Sequence, residues 1–347
     1  MKISISHETS LYIDDFAKDY SINDSLHNNV LTLYSLDAFI GALLFGDEII
    51  AFTNIRAGFE DKPLIENHPE IPVTVVYPSR CEDELYKVQL AIAEEIKKEP
   101  EFISFYKKIV QESNALFIRD NDPPPYTDEY IDNTALITSG DIFRAINNNA
   151  SFFANQIESP IVLIHQLQVE RAFKNSPNFI RETIRKAWNE NIHKATQVCA
   201  TYFTANIPFF LNFILRECKT IEEIWKITME YRNSNNVKKF RNWLNDMNKE
   251  TDFKCVLKEL NNIENITRDI FEEKNIFDSF ALGFPPSISL PPITEIERVI
   301  TGYKRHFRFY RRLLKDALKS ARFENELQRV FNINKETSLN IVHKMSN

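Results

Sequence analysis

The sequence predicts a mainly α-helical protein: a multi-helical domain preceded by a small N-terminal α/β subdomain of three or four short strands. Three observations lead to this fold class. Only six of the 347 residues are glycine, about a quarter of the usual share, and residues 141–282 contain none. The clearest β-branched run lies in the first third of the chain, whereas apolar residues recur at helical spacing in the last two thirds. Because primed hairpin turns and phosphate-binding loops need glycine at positive φ, the composition favours helices.

The predicted strands lie in the N-terminal third. The strand over 71–77 is the clearest, because it is β-branched and bounded by Pro72 and Pro78. The other elements expected there, in chain order, are a buried helix over 36–45 capped by Ser35, a turn at Gly46–Asp47, a strand over 48–53, a helix that begins at a capping box over 79–82, a second helix over 102–110 and a short strand over 115–118.

A proline-rich acidic loop over 121–133 is the best boundary signal in the chain. Three consecutive prolines, Pro123 to Pro125, cannot continue a helix or a central strand, and the surrounding acidic side chains keep the stretch solvated. We therefore expect an α/β subdomain over 1–120 and a helical domain over 134–347 that ends in a long basic amphipathic helix.

Helices are expected throughout the region after this loop. A charge-free segment over 195–215 is long enough to cross a membrane, but it holds several polar residues and has Pro208 near its middle. We interpret it as two buried helices and expect no membrane partner. The remaining helices are predicted over 176–205, after a capping box at Thr220–Glu223, around Trp243, over 253–271, and from Thr294 to about Phe331.

The strongest surface signal is a basic ridge over residues 304–322. This segment carries eight Lys or Arg residues and one acid, a local charge of +7, so that the rest of the chain carries −14. On a helical wheel all eight cations fall within roughly 120°, and Tyr, Phe, Leu and Ala side chains occupy the other side. The cations of the ridge are Lys304, Arg305, Arg308, Arg311, Arg312, Lys315, Lys319 and Arg322.

Three interpretations of the basic ridge remain open. In the first, the ridge is a solvated face or pairs with the acidic remainder of the chain. In the second, it binds an anionic partner such as nucleic acid. In the third, it binds an acidic protein or a membrane surface. Membrane binding comes last, because the apolar face has no Trp and is needed by the core.

Most catalytic motifs can be excluded. Gly41 and Gly46 have the spacing of a phosphate-binding P-loop, but Asp47 and Glu48 follow where Lys and Ser or Thr are required. The four cysteines, at positions 81, 199, 218 and 255, form no metal-binding spacing, and we expect reduced thiols. We therefore expect no cofactor and no metal.

Two histidines deserve separate consideration as catalytic residues. His193 follows Glu190 in a Glu-x-x-His pair, but a di-iron site needs a second copy that the chain lacks. His165 lies in an apolar run, which favours a core histidine. A metal-dependent nuclease would gather acids at a sheet edge, and Asp47, Glu48 and Glu70 lie near the predicted strands.

These observations favour a cytoplasmic, bacterial-type protein that acts by binding nucleic acid or an acidic protein through the basic ridge, without a catalytic centre of its own. The negative net charge argues against a uniformly basic nucleic-acid binder, so the contact is expected to be local. The alternative is a nuclease-type hydrolase of a bacterial toxin or phage-defence system, with a site dispersed in the sequence. Whether the protein is an enzyme, and its oligomeric state, stay open at this point.

Overall fold

A computed structural model gives the arrangement of about a third of the chain. It describes residues 2–22, 26–52, 67–76, 150–153, 210–247 and 323–346, together with residues 64, 141, 144, 145 and 148. Helices account for 71% of this part, and the strands form one small sheet of four parallel strands. The prediction of a mainly helical protein with a small sheet is confirmed for the described residues.

The sheet consists of β1 (Lys2–Ile5), β2 (Glu48–Phe52), β3 (Val73–Val76) and β4 (Ser151–Phe153), in the order β3-β2-β1-β4. All three pairings are parallel, so the carboxyl ends of the strands meet at one edge. The two strands predicted over 48–53 and 71–77 are confirmed, with slightly shorter bounds.

Two strands of the sheet were not predicted. β1 lies at the very start of the chain, and its Ile3 and Ile5 side chains belong to the core. β4 lies after the proline-rich loop, where only helices were predicted, and that expectation is wrong at these three residues. β4 forms because its Phe152 and Phe153 are buried beside β1, a contact that the local sequence does not indicate.

The described helices pack with one another and with residues of the sheet in one large hydrophobic cluster. The Trp243 helix prediction is confirmed, as is a helix end at Phe331. The helices are α1 (His7–Asp19), α2 (Leu26–Phe45), α3 (Phe210–Glu217), α4 (Ile224–Asn233), α5 (Asn235–Met247), α6 (Phe323–Phe331) and α7 (Lys335–Ser346).

Helix α2 is the central element, since it contacts the sheet and five of the other helices. It begins at Leu26, so the prediction of a helix that starts after a Ser35 cap is wrong, and Ser35 lies buried within it. The apolar residues before Ser35, including Val30 and Leu33, pack in the core and extend the helix. A helix that is apolar on all sides is stable inside a protein.

Within the described residues, α2 also contains the one stretch that is long and apolar enough to cross a membrane. That stretch is Asn28–Phe45, and 89% of it is buried inside the protein. Its hydropathy is therefore accounted for by its position in the core. The described end of the charge-free segment, residues 210–215, is buried as predicted.

Arginine side chains donate hydrogen bonds to the carbonyl oxygens at the ends of two helices. The guanidinium of Arg232 donates hydrogen bonds to the carbonyl oxygens of Leu43, Gly46 and Asp47, at the end of α2. Arg329 does the same for α3, donating to the carbonyls of Leu215 and Cys218. The last carbonyls of a helix have no partner within it, so buried helix ends need such donors.

Two further helix ends use a residue in the left-handed region. Tyr20 after α1 has a φ of 53°, and Asn332 after α6 has a φ of 55°. Asn is a common substitute for glycine at this position, whereas Tyr is unusual there. The scarcity of glycine is thus accommodated in the described part by other means of ending a helix.

The capping box predicted at Thr220–Glu223 forms only in part. Thr220 precedes a short 3₁₀ turn over Ile221–Glu223, and its side chain makes no capping hydrogen bond. The carboxylate of Glu223 does accept a backbone hydrogen bond, but from Lys219, 2.7 Å away. In a regular capping box this carboxylate would accept from the N–H of Thr220. Next to the 3₁₀ turn it accepts from the preceding residue instead.

The two glycines of the excluded P-loop pattern serve helix packing. Gly41 lies within α2, where an added Cβ would approach Phe210 and Phe153 to 3.0–3.1 Å. Gly46 directly follows α2, against Ile49 and Ile3. They allow α2 to approach α3 and the sheet closely, and they do not form a phosphate-binding loop.

Candidate functional site

The carboxyl edge of the sheet next to β1 has the position at which open parallel sheets bind ligands. β2 and β3 follow β1 outward on one side, and the chain then returns to place β4 on the other side. In open parallel sheets, ligands bind outside the carboxyl ends of the strands at such a reversal of order. The residues that follow β1 are Ser6 and the first turn of α1.

Side chains with hydroxyl groups build this turn. Ser6 caps α1, because its Oγ accepts a hydrogen bond from the backbone N–H of Thr9, 3.1 Å away. Ser6 Oγ also donates to Thr9 Oγ1 at 2.9 Å, and Ser10 Oγ donates to the Ser6 carbonyl at 3.0 Å. All three side chains are buried, so the polar groups of the turn satisfy one another.

A buried carboxylate from far along the chain completes the end of α1. Asp141 Oδ2 accepts a hydrogen bond from the His7 backbone N–H at 2.8 Å, and Asp141 Oδ1 lies 3.1 Å from the Arg144 guanidinium. Burial raises the pKa of Asp141, while the His7 N–H and the charge of Arg144 oppose the rise. The position of the carboxyl group and of its partners is fixed by the fold.

This arrangement defines what the edge can bind. The N-terminus of a helix attracts anions, since its free N–H groups and its dipole both favour negative charge. Here the carboxylate of Asp141 already occupies that position on α1. A phosphate group would have to displace this carboxyl group, so the β1–α1 turn is built as an internal clamp between α1 and the segment that leads to β4.

We predict that Asp141→Ala lowers the free energy of unfolding by about 3 kcal/mol, because it leaves the His7 N–H and the Arg144 guanidinium without their buried acceptor. Chemical denaturation measures the loss. Asp141→Asn keeps an acceptor oxygen and is expected to lose less, and the exposed Asp19→Ala serves as control. Equal stability of Asp141→Ala and wild type would show that the clamp contributes nothing.

The basic ridge and the two histidines lie elsewhere in the chain. Residues 304–322, His165 and His193 all fall outside the described residues, as does Glu190. The described chain resumes at Phe323, the first residue of α6, directly after the ridge. The ridge therefore stays a prediction.

The three acids that the sequence suggested for a nuclease centre have separate partners. Glu48 lies 3.3 Å from Lys2 and accepts from Thr74, whereas Asp47 binds Asn245 and lies 3.5 Å from Arg241. Glu70 pairs with His68. Within the described ranges, no three His, Cys, Asp or Glu side chains lie close enough to share a metal ion.

The carboxyl edge illustrates what the sequence could and could not reveal. The Ser6-x-x-Thr9 spacing after alternating Ile3 and Ile5 is a usable signal for a strand followed by a capped helix. The contact of Asp141 with His7 spans 134 positions and has no local signal.

The chain matches no protein-family model, no curated protein and no solved structure.

Proposed function

We propose that the protein binds nucleic acid through the basic ridge over residues 304–322. One observation from the sequence carries the proposal: on a helical wheel the eight cations of this segment would fall within about one third of the circumference, and the segment has a net charge of +7. Such a stripe neutralises a row of phosphates, and the released counterions supply much of the binding free energy.

Three acids of the described residues already have cationic neighbours. Asp141 contacts Arg144, and Glu326 contacts Arg329. Asp47 likewise lies beside Arg241 and Asn245. Because these acids already have cationic neighbours, their charge is partly neutralised within the fold. The rest of the chain still carries −14, so pairing of the ridge with acids of the same chain stays the alternative.

The position of the ridge also suits a binding surface. It is followed at once by α6, whose Leu327, Val330 and Phe331 are buried in the common core. A ridge joined to a docked helix is tethered to the folded body. Nucleic acid is favoured over an acidic protein, because a regular row of like charges matches the regular spacing of phosphates.

We also propose the finer organisation of the chain predicted from the sequence, with an α/β subdomain over 1–120 and a helical domain over 134–347. β4 requires one amendment, since it brings residues 151–153 of the second part into the sheet. The two parts would then share a core and would not be independent folding units. A cytoplasmic location belongs to the same proposal.

Charge reversal in the ridge tests the function. The variant Arg308→Glu, Arg311→Glu, Arg312→Glu, Lys315→Glu is compared with wild type in binding to labelled single-stranded RNA and duplex DNA at low salt. Loss of four phosphate contacts is expected to weaken binding by at least about 10²-fold. The matched control reverses four exposed lysines on the described surface, Lys219, Lys226, Lys238 and Lys239, with the same change in charge.

The outcomes separate the alternatives. Equal loss in both variants would mean that overall charge, and not the ridge, governs binding. No binding by wild type would overturn the proposal. Cleavage of the nucleic acid in the presence of Mg²⁺, absent from His193→Ala or His165→Ala, would establish the nuclease alternative in place of a binding protein.

A further inference from the structure

Three side chains form a hydrogen-bonded series next to the start of β3. Tyr20 Oη lies 2.5 Å from His68 Nε2, and His68 Nδ1 lies 3.3 Å from Glu70 Oε1. The tyrosine comes from the end of α1, whereas the other two precede β3. None of its residues belongs to the clamp at Asp141 or to the basic ridge.

The geometry assigns a role to each member. A phenol that donates to Nε2 requires the neutral imidazole to carry its proton on Nδ1, and that proton then points at Glu70. A nucleophile within hydrogen-bond reach of a base, with the base oriented by a third group, is the arrangement that activates hydroxyl nucleophiles. Tyr20, His68 and Glu70 occupy these three positions.

The fold holds Tyr20 in place. Its backbone has a φ of 53° and its N–H donates to the Phe16 carbonyl at 2.8 Å. Its ring packs edge-on against Phe16 and His68, and His68 in turn packs on the buried Trp225. A side chain fixed on several sides loses little freedom when it reacts.

The cluster reaches the surface of the protein. Tyr20 is half-buried, the His68 side chain is 19% exposed and that of Glu70 is 50% exposed. Burial raises the pKa of Tyr20, a hydrogen bond with the Trp225 side chain opposes the rise, and the charges of Glu222 and Glu70 add to it. The phenol is therefore protonated at neutral pH, so attack requires proton transfer to a base in the same step.

The surrounding charge selects the substrate. Glu70 and Glu222 are both near Tyr20, and they repel phosphates and carboxylates. An uncharged ester carries no such penalty. We propose that Tyr20 is a nucleophile activated by His68 and that it accepts the acyl group of small uncharged carboxylic esters.

The proposed step is balanced within the cluster. Tyr20 Oη bonds to the ester carbonyl carbon while its proton moves to His68 Nε2. The bond to the leaving alkoxide breaks, and the alkoxide takes the proton from Nε2 and departs as the alcohol. Water then hydrolyses the acyl-tyrosine, with His68 as base, to give the acid and free Tyr20.

The test uses p-nitrophenyl acetate with the full chain. We expect wild type to release p-nitrophenolate in a burst and to carry one acetyl group, located at Tyr20 by peptide mass spectrometry. His68→Ala should slow this acetylation by about 10²-fold, and added imidazole should restore part of the rate. Tyr12→Phe is the matched control, since Tyr12 is also half-buried on α1.

Acetylation of Tyr20 in wild type is the primary result, so the test does not depend on whether a variant folds. Acetylation of surface lysines with Tyr20 unlabelled would overturn the proposal. So would acetylation of Tyr20 at the same rate in His68→Ala, because His68 would then not act as base. The proposal is independent of nucleic-acid binding, because reversing the ridge should leave acetylation of Tyr20 unchanged.

Discussion

Replacing Arg232 with methionine is expected to lower the free energy of unfolding by about 4 kcal/mol. Methionine keeps an unbranched apolar stem but cannot donate to the carbonyl oxygens of Leu43, Gly46 and Asp47. These groups end the central helix α2, and buried acceptors left without a donor each cost about 1–3 kcal/mol. Urea denaturation followed by circular dichroism measures the change.

The physical basis is the burial of this guanidinium. Arg232 is 7% exposed, and burial followed by the nearby charge of Arg241 lowers its pKa to about 10, with Asp47 acting in the opposite sense. Arg241 also donates to the Arg232 carbonyl at 2.9 Å. The cost of burying two guanidinium groups is offset by the helix-end carbonyls, which need donors.

Lys238→Met is the matched control for Arg232→Met. Lys238 is exposed on α5, so the same loss of one positive charge should change stability by less than about 0.5 kcal/mol. Similar losses in the two variants would mean that the helix-end contacts of Arg232 contribute little, contrary to our interpretation of α2.

Asp37→Asn is expected to remove a large part of the pH dependence of stability. Asp37 is buried within α2, and its Oδ1 accepts the backbone N–H of Leu211 at 2.8 Å, at the start of α3. Burial raises its pKa from 3.8 to about 7, against the opposing hydrogen bonds from Leu211 and Phe210. The folded protein therefore binds a proton at this site that the unfolded chain has released above pH 3.8.

The sign of the effect follows from this difference. The stability that protonated Asp37 contributes is fully present below pH 3.8 and is lost as the pH rises to about 7. A shift of this size corresponds to about 4 kcal/mol. As the pH rises over this interval, wild type should therefore lose about that much unfolding free energy relative to Asp37→Asn.

Denaturation of both proteins at several pH values between 4 and 8 measures this growth. Asn keeps an oxygen for the Leu211 N–H, so the variant isolates the charge. Asp15→Asn is the control, since it removes an exposed carboxylate from α1. Parallel profiles for wild type and Asp37→Asn would show that Asp37 does not hold a proton in the folded state.

Local sequence patterns predicted the parts of the fold that depend on local interactions. β3 was recognisable because four β-branched residues follow Pro72. β4 has only three residues and exists through its pairing with β1, so no local pattern marks it. Ser35 has the chemistry of a helix cap, but burial of the residues on both sides continues α2 through it.

The hydrogen-bond partners of the buried polar side chains could not be predicted either, because they lie far away in the sequence. Asp37 and Leu211 are 174 positions apart, and Arg232 and Leu43 are 189 positions apart. A local pattern indicates that an acid or an arginine is present, but not which helix end it will reach. Tyr20 and His68 likewise meet only because α1 packs beside the start of β3. The basic ridge was visible in the sequence because all its members lie within one predicted helix.

The salt dependence of nucleic-acid binding tests the proposed function most directly. Each phosphate neutralised on duplex DNA contributes about −0.9 to the slope of log Kobs against log salt concentration. We expect a wild-type slope of about −4 or steeper, and a slope near zero when Arg308, Arg311, Arg312 and Lys315 are changed to Glu. A wild-type slope near zero, or an equal slope for wild type and this variant, would contradict binding through the basic ridge.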